Sequence, residues 1–186
     1  MKIKALAALC SKVKSIVLYD DGDRQWAGDG YAAYLLPEAF GTMSIGALTA
    51  VFDIPCDKAA DMLTRRTDMP ESYDTQDDGD GEEELIFDTD SRILHAGREL
   101  LPCRTQSGMV YLIQAKYLKP ILDSEGLRLS VRHMDGDGMP YITAKDGMFL
   151  TAIISPVKTG DPLHQWLCSL YNGIIRAHVY EDSGEE

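Results

Sequence analysis

Two groups of carboxylates have the types and spacing to do chemistry: Asp20, Asp21 and Asp23, and Asp135 and Asp137. Carboxylates this close can hold a pair of divalent cations for hydrolysis, so a metal-dependent hydrolase is one reading of the chain. Each group, however, sits in a glycine-containing turn between apolar runs, where aspartate is favoured because its side chain bonds nearby backbone amides. Both are therefore read as turn carboxylates. A denser acidic run follows later: Glu71, Asp74, Asp77, Asp78, Asp80, Glu82, Glu83 and Glu84. Taken as a calcium loop from Asp74, it places Asp78, Gly79 and Asp80 suitably, yet Leu85 stands where a bidentate glutamate is needed. It is read as a solvated, flexible loop and a candidate contact for a basic partner. His95, His133, His164 and His178 are scattered, and Cys10, Cys56, Cys103 and Cys168 form no C-x-x-C pair, which predicts reduced thiols with no metal and no cofactor. Nucleotide-loop, zinc-helix and serine-elbow motifs are all missing from the sequence, so the chain is expected to be non-catalytic.

The elements that must position these residues follow from apolar periodicity. Ile3, Leu6, Leu9, Cys10 and Val13 share one face of a helix over 3–13. Residues 15–19 (SIVLY), 25–28 and 31–36 read as strands, with an acidic turn at 20–23, a two-residue type I′ turn at Asp29-Gly30, and a stop at Pro37. The order recurs downstream: a strand at 109–114, a short helix at 115–122, a strand at 127–133, an acidic turn at 135–138, a strand at 141–144, a tight turn at Asp146-Gly147, and a strand at 148–154 before Pro156. Each copy is a βαβββ pattern, the first strand of the leading copy being shrunk to 1–3 or lost. Between them, 44–52 and 57–66 read as short helices, the second turning Met62 and Leu63 inward. Strands follow at 85–88, 92–95 and 98–103, broken by an Ala96-Gly97 turn. Arg92, Arg98 and Arg104 read as surface arginines paired with the acidic loop. A last helix over 161–180 carries the apolar stripe Leu163, Trp166, Leu167, Leu170, Ile174 and Ile175, expected to pack inward, before an acidic tail at 181–186.

The 186 residues carry 18 basic and 30 acidic side chains, a net charge of −12, which disfavours nonspecific attraction of the whole surface to DNA. The excess is not evenly distributed. Residues 1–37 carry five basic and four acidic groups and 109–160 carry six and five, whereas 38–108 carry six and sixteen and 161–186 carry one and five. Both repeat segments are thus slightly positive. Opposite the apolar face of helix 3–13 lie Lys4, Ala8, Ser11 and Lys12; Lys116 and Lys119 sit one turn apart on the second helix; Lys2 and Lys14 flank the first. The apolar run at 5–10 is too short for a signal sequence, and no stretch reaches the roughly eighteen apolar residues of a membrane span. A cytoplasmic protein that does not enter membranes is expected.

The stretch 115–122 (AKYLKPIL), then 127–131 (LRLSV) and 148–156 (MFLTAIISP), resembles the closing half of one domain of a DNA sliding clamp, in which two βαβββ units are related by a pseudo-twofold axis. The chain as a whole also looks similar to an uncharacterised family of small proteins from bacterial prophages and mobile elements. The clamp resemblance implies an α+β domain over 1–160, with repeat units 1–37 and 109–160, helices on one face of an antiparallel sheet, and an acidic insertion at 38–108. It further implies a non-catalytic module associated with duplex DNA or a replication partner, contacting phosphates through Lys2, Lys4, Lys12, Lys14, Lys116 and Lys119. Such a ring would take six copies of this chain, so homo-oligomers are an expected form. The alternative is an acidic interaction module, or an inhibitor of a host protein, built on the same fold without DNA.

Overall fold

The computed structural model describes residues 1–77, 81–134, 138–158, 160, 162, 165, 166 and 168–170. Asp78, Asp80, Asp135, Asp137, His164, His178 and most of the predicted last helix, with the tail beyond it, lie outside them.

Helix α1 (Ile3–Val13) ends where Lys14 adopts a left-handed conformation, φ 57°. It leads into β1 (Ser15–Asp20), β2 (Gln25–Gly28) and β3 (Ala32–Leu35), an antiparallel meander. Much later β9 (Leu127–His133), β10 (Pro140–Asp146) and β11 (Phe149–Ile154) form a second meander. The two meanders join edge to edge where β3 and β11 pair antiparallel, Ala33 opposite Ile153. Among the described residues Met1 and Lys2 before α1 form no strand, so the leading copy lacks its first strand here.

The intervening chain extends both ends of this six-stranded body. After α2 (Ile45–Val51), whose Ser44 caps the Ala47 amide, and α3 (Cys56–Ala60), β4 (Leu63–Asp68) pairs in parallel with β1. The sheet is therefore mixed rather than antiparallel. The predicted helix over 57–66 stops at Ala60 because the next residues, LTRRT, include β-branched threonines that fit a strand, and the Leu63 amide bonds the Lys14 carbonyl at the foot of β1. Met62 packs on the core, but Leu63 is 68% exposed. At the other end β5 (Glu83–Phe87) pairs with β9, then with β7 (Arg98–Thr105), which also holds β6 (Ile93–His95) and β8 (Val110–Gln114). The Ala96-Gly97 turn has positive φ at both positions, 48° and 73°, as a type I′ turn requires. The sheet curls until β8 meets the chain leaving β11, the Val157 amide donating to the Leu112 carbonyl at 2.7 Å.

The main core lies on one face of this sheet. Leu6, Leu9 and Cys10 of α1, Leu48 of α2, and Tyr117, Leu118 and Ile121 all bury there against Leu18, Ala27, Val131, Ile142 and Ile154. The expected second helix is only a 3₁₀ turn (Ala115–Tyr117) followed by further turns. Pro120 is the reason: it supplies no amide and disfavours helical backbone at Lys119. The segment still lies alongside α1, since the Lys2 amide donates to the Pro120 carbonyl at 2.6 Å.

The opposite face has a smaller core of Trp26, Ala33, Tyr141, Leu150 and Ile153, joined by Met69 and Tyr73. Those last two belong to the connection from β4 to β5. Because β4 lies outside β1 and β5 outside β9, the connection between them, described over 69–77 and 81–82, spans the two meanders. A third cluster, Leu100, Val110 and Leu112, receives Cys168 and Val157. What is described of the last helix is helical, but Trp166 and Leu170 are 59% and 45% exposed, against the expectation that they face inward.

Candidate nucleic-acid interface

The lysines singled out by their spacing lie on the α1 side of the sheet. Lys4 and Lys12 are exposed on α1, Lys14 follows at its end, and Lys119 is exposed on the neighbouring turn. Lys116 lies with its amine 4.6 Å from the centre of the Tyr117 ring. Burial lowers its pKa from the ordinary lysine value; Asp29 pulls it back up, and Lys12 and Arg98 add repulsion in the lowering direction. Lys12, Lys116 and Arg98 therefore share one neighbourhood at the C-terminal end of α1, and none of the three makes an ion pair among the described residues. Lys2 differs from the others because it is bridged to Asp123. Beside Lys4, the small residues Ala7, Ala8 and Ser11 line a groove with Phe52 and Ile54, so α2 and α3 flank the lysine face.

Beneath these cations is a buried polar chain. Asp29 is 4% exposed; its Oδ1 accepts from the Tyr31 and Ala32 amides, and its Oδ2 accepts from the Tyr117 hydroxyl at 3.0 Å. Tyr34 in turn donates its hydroxyl to the Tyr117 carbonyl at 2.6 Å. Burial pushes both phenols above their ordinary values, and the Asp29 charge adds to the shift. The expected two-residue turn at Asp29-Gly30 is instead a three-residue loop, 29–31, between Gly28 and Ala32: Gly28 pairs with Ala33, the Asp29 amide donates to the Ala32 carbonyl at 3.3 Å, and Gly30 but not Asp29 has positive φ. Asp29 closes that loop by bonding its amides.

The acidic run is not a free loop. Arg132, on β9, points away from the main core, between inward Val131 and the end of the strand, and its guanidinium bonds Asp74 at 3.1 Å, Glu82 at 2.7 Å and Asp77. Lys145 on β10 bonds Asp77 at 2.8 Å and Glu82 at 3.0 Å. Burial raises the Asp77 and Glu82 carboxyls, but hydrogen bonds from Lys145 and Arg132 outweigh it and hold both below the ordinary range. Farther along, Arg24 bonds the Thr75 carbonyl, the Asp74 amide donates to the Tyr141 hydroxyl, and Tyr73 meets the Tyr141 ring edge-on at 5.1 Å. Residues 69–77, with 81 and 82, thus form an acidic strap fastened to the face opposite the lysines. Glu83 leaves it to accept from the Ser107 amide, while Glu71 and Glu84 remain exposed. Among the described residues Arg92, Arg98 and Arg104 make no ion pair with this run, whose Asp74, Asp77 and Glu82 are held by Arg132 and Lys145.

The turn carboxylates at 20–23 are occupied structurally. Asp21 accepts from the Arg24 amide at 2.7 Å and from Trp26 Nε1 at 2.8 Å, and Asp20 pairs with Arg66 at 3.1 Å. Among the described residues no group of histidine, cysteine, aspartate and glutamate is arranged to hold a metal, and no helix is long and apolar enough to cross a membrane. Sequence reasoning missed Arg132 and Lys145, and read Arg98 only as a surface arginine and Asp29 only as a turn residue. The outward alternation of Arg128, Ser130 and Arg132 against Leu129 and Val131 was the available signal for the first. Comparison with protein-family models, curated proteins and solved structures finds no match to the chain.

Proposed function

We propose that the protein is a non-catalytic DNA-associated module whose α1 side meets the phosphates of duplex DNA through Lys4, Lys12, Lys116 and Lys119, in the manner of one sliding-clamp domain. The observation that carries this reading is the separation of charge across the sheet. Asp74, Asp77 and Glu82 of the densest acidic run are strapped to one face by Arg132 and Lys145, while lysines with no ion pair among the described residues gather on the other. A surface of net-acidic protein can then present a locally positive face, and phosphate contacts made by lysine need no sequence readout. Assembly of several copies into a ring around DNA, or docking of a replication protein, would build on the same face. Among the described residues an acidic-partner role is left with Glu71 and Glu84, since Asp74, Asp77 and Glu82 are engaged within the chain.

Binding of a labelled duplex, followed by fluorescence anisotropy across a salt series, tests this. Four phosphate contacts give a log–log salt slope of roughly −3 to −4. Replacing the four lysines by glutamate should abolish binding, with the thermal melt unchanged. Duplex binding that survives the quadruple replacement removes the reading.

A further inference from the structure

On the strap side of the sheet two cavities of about 430 and 790 Å³ adjoin, sharing Gly30, Tyr31, Tyr73 and Ser155 in their walls. Together they make one trough. Its smaller end reaches Arg65 of β4 and Tyr19 of β1; its larger end reaches Arg98 of β7 and Lys158 beyond β11. The floor between them is apolar, formed by Val17, Ala33 and Ile153.

We propose that this trough binds single-stranded nucleic acid, with bases stacked on Tyr31 and its neighbours Tyr19 and Tyr73, and phosphates held by Arg65, Arg98 and Lys158. Three observations carry it. Tyr31 is 61% exposed at the point where the two cavities meet, which is how a stacking platform is presented. Arg65, Arg98 and Lys158 are exposed and have no carboxylate partner among the described residues, whereas the acids of the trough are Asp68 at one end and Asp29, whose oxygens are taken by two amides and the Tyr117 hydroxyl. Finally, Ser15 is 8% exposed on the trough wall, and among the described residues its hydroxyl makes no side-chain hydrogen bond, leaving a donor and acceptor for a base edge.

The trough's direction selects nucleic acid over peptide. It crosses β4, β1, β3 and β11 on its way to β7 and β8, so an occupant meets side chains in succession instead of the free ladder of an edge strand, the feature that extended peptides use. Unpaired bases with flexible backbones suit successive aromatic platforms and spaced cations; a stiff duplex cannot enter a cleft between the sheet and its strap. Arg98 borders both this trough and Lys116 of the lysine face; the lysines of that face play no part in this proposal.

Anisotropy with a labelled oligo(dT) of about 20 nucleotides provides the test, stacking on aromatic side chains being tolerant of sequence. Tyr31→Ala should weaken binding by about fivefold or more, and Tyr31→Phe should leave it nearly unchanged, because the π face is kept. Replacing Arg65, Arg98 and Lys158 together by glutamine should flatten the salt slope by about 2, three single-strand phosphate contacts being lost. Circular dichroism confirms folding of each variant. The proposal is overturned if the wild-type chain does not bind oligo(dT), if Tyr31→Ala or the triple variant binds as tightly as wild type, or if an acidic extended peptide displaces oligo(dT) more effectively than unlabelled oligo(dT) does.

Discussion

The Tyr117 hydroxyl donates to Asp29 Oδ2 at 3.0 Å, joining a turn of the first meander to the segment that leads into the second. Both groups are buried, so neither has water to fall back on. Tyr117→Phe leaves the carboxylate short of one donor while keeping the ring, and a loss of about 1–3 kcal/mol is expected. Asp29→Ala also releases the amides of Tyr31 and Ala32, and should cost more. Chemical denaturation of the two variants measures the difference; equal stability of Tyr117→Phe and wild type would remove the bond from the account.

The strap predicts an acid-sensitive fold. Asp77 and Glu82 have carboxyls held below their unfolded values, so their contribution is complete above the ordinary carboxylate range and is lost as pH falls through the depressed folded values. Thermal melts should therefore drop in the acid region below about pH 4, with protease sensitivity appearing first in residues 69–77. Arg132→Met leaves Asp74, Asp77 and Glu82 facing a partly buried site without their main cation. Because those acids are partly exposed, a cost of about 2–4 kcal/mol is expected, somewhat below that of a fully buried pair.

Gly28 tolerates no side chain. A Cβ built there would lie 1.6 Å from the Ala32 carbonyl oxygen, backbone at the end of the loop that Asp29 closes. Gly28→Ala should give no folded protein, or one whose loop has reopened, and the near-ultraviolet circular dichroism of buried Trp26 reports either outcome.

Thiol reactivity should be graded by burial. Cys56 is exposed, whereas burial pushes the thiols of Cys10 and Cys103 up to about 12. Titration with a disulfide reagent at neutral pH should modify Cys56 quickly and leave Cys10 and Cys103 untouched until denaturant is added, since the thiolate is the attacking form. Rapid labelling of Cys103 in the native protein would contradict the burial of β7.

Local patterns were legible where one face of an element is apolar and the other wet. The periodicity of Ile3, Leu6, Leu9 and Val13 gave α1, and the three strands of each meander followed from short apolar runs between aspartate-glycine turns. The α+β class was an implication of the resemblance to a clamp domain, not of this periodicity. What escaped depends on partners remote in sequence. LTRRTD has no apolar alternation and becomes a strand because β1 offers it an edge. Glutamates and aspartates at 71–84 have the composition of a solvated loop; only the outward placement of Arg132 and Lys145, residues that a strand pattern alone does not connect to them, turns that composition into a strap. The lysines were found by spacing on a helix, while Arg98 arrives beside them through the curl of the sheet.

The seam between β3 and β11 has a kinetic consequence. Each meander can form from near neighbours in the chain, but residue 33 must then find residue 153 across everything that lies between. Loop closure of that length delays native pairing, and sheets completed by such distant contacts fold slowly. Refolding should therefore show the two meanders acquiring protected amides early, with Ala33 and Ile153 among the last to resist exchange, followed only by the strap that lies across them.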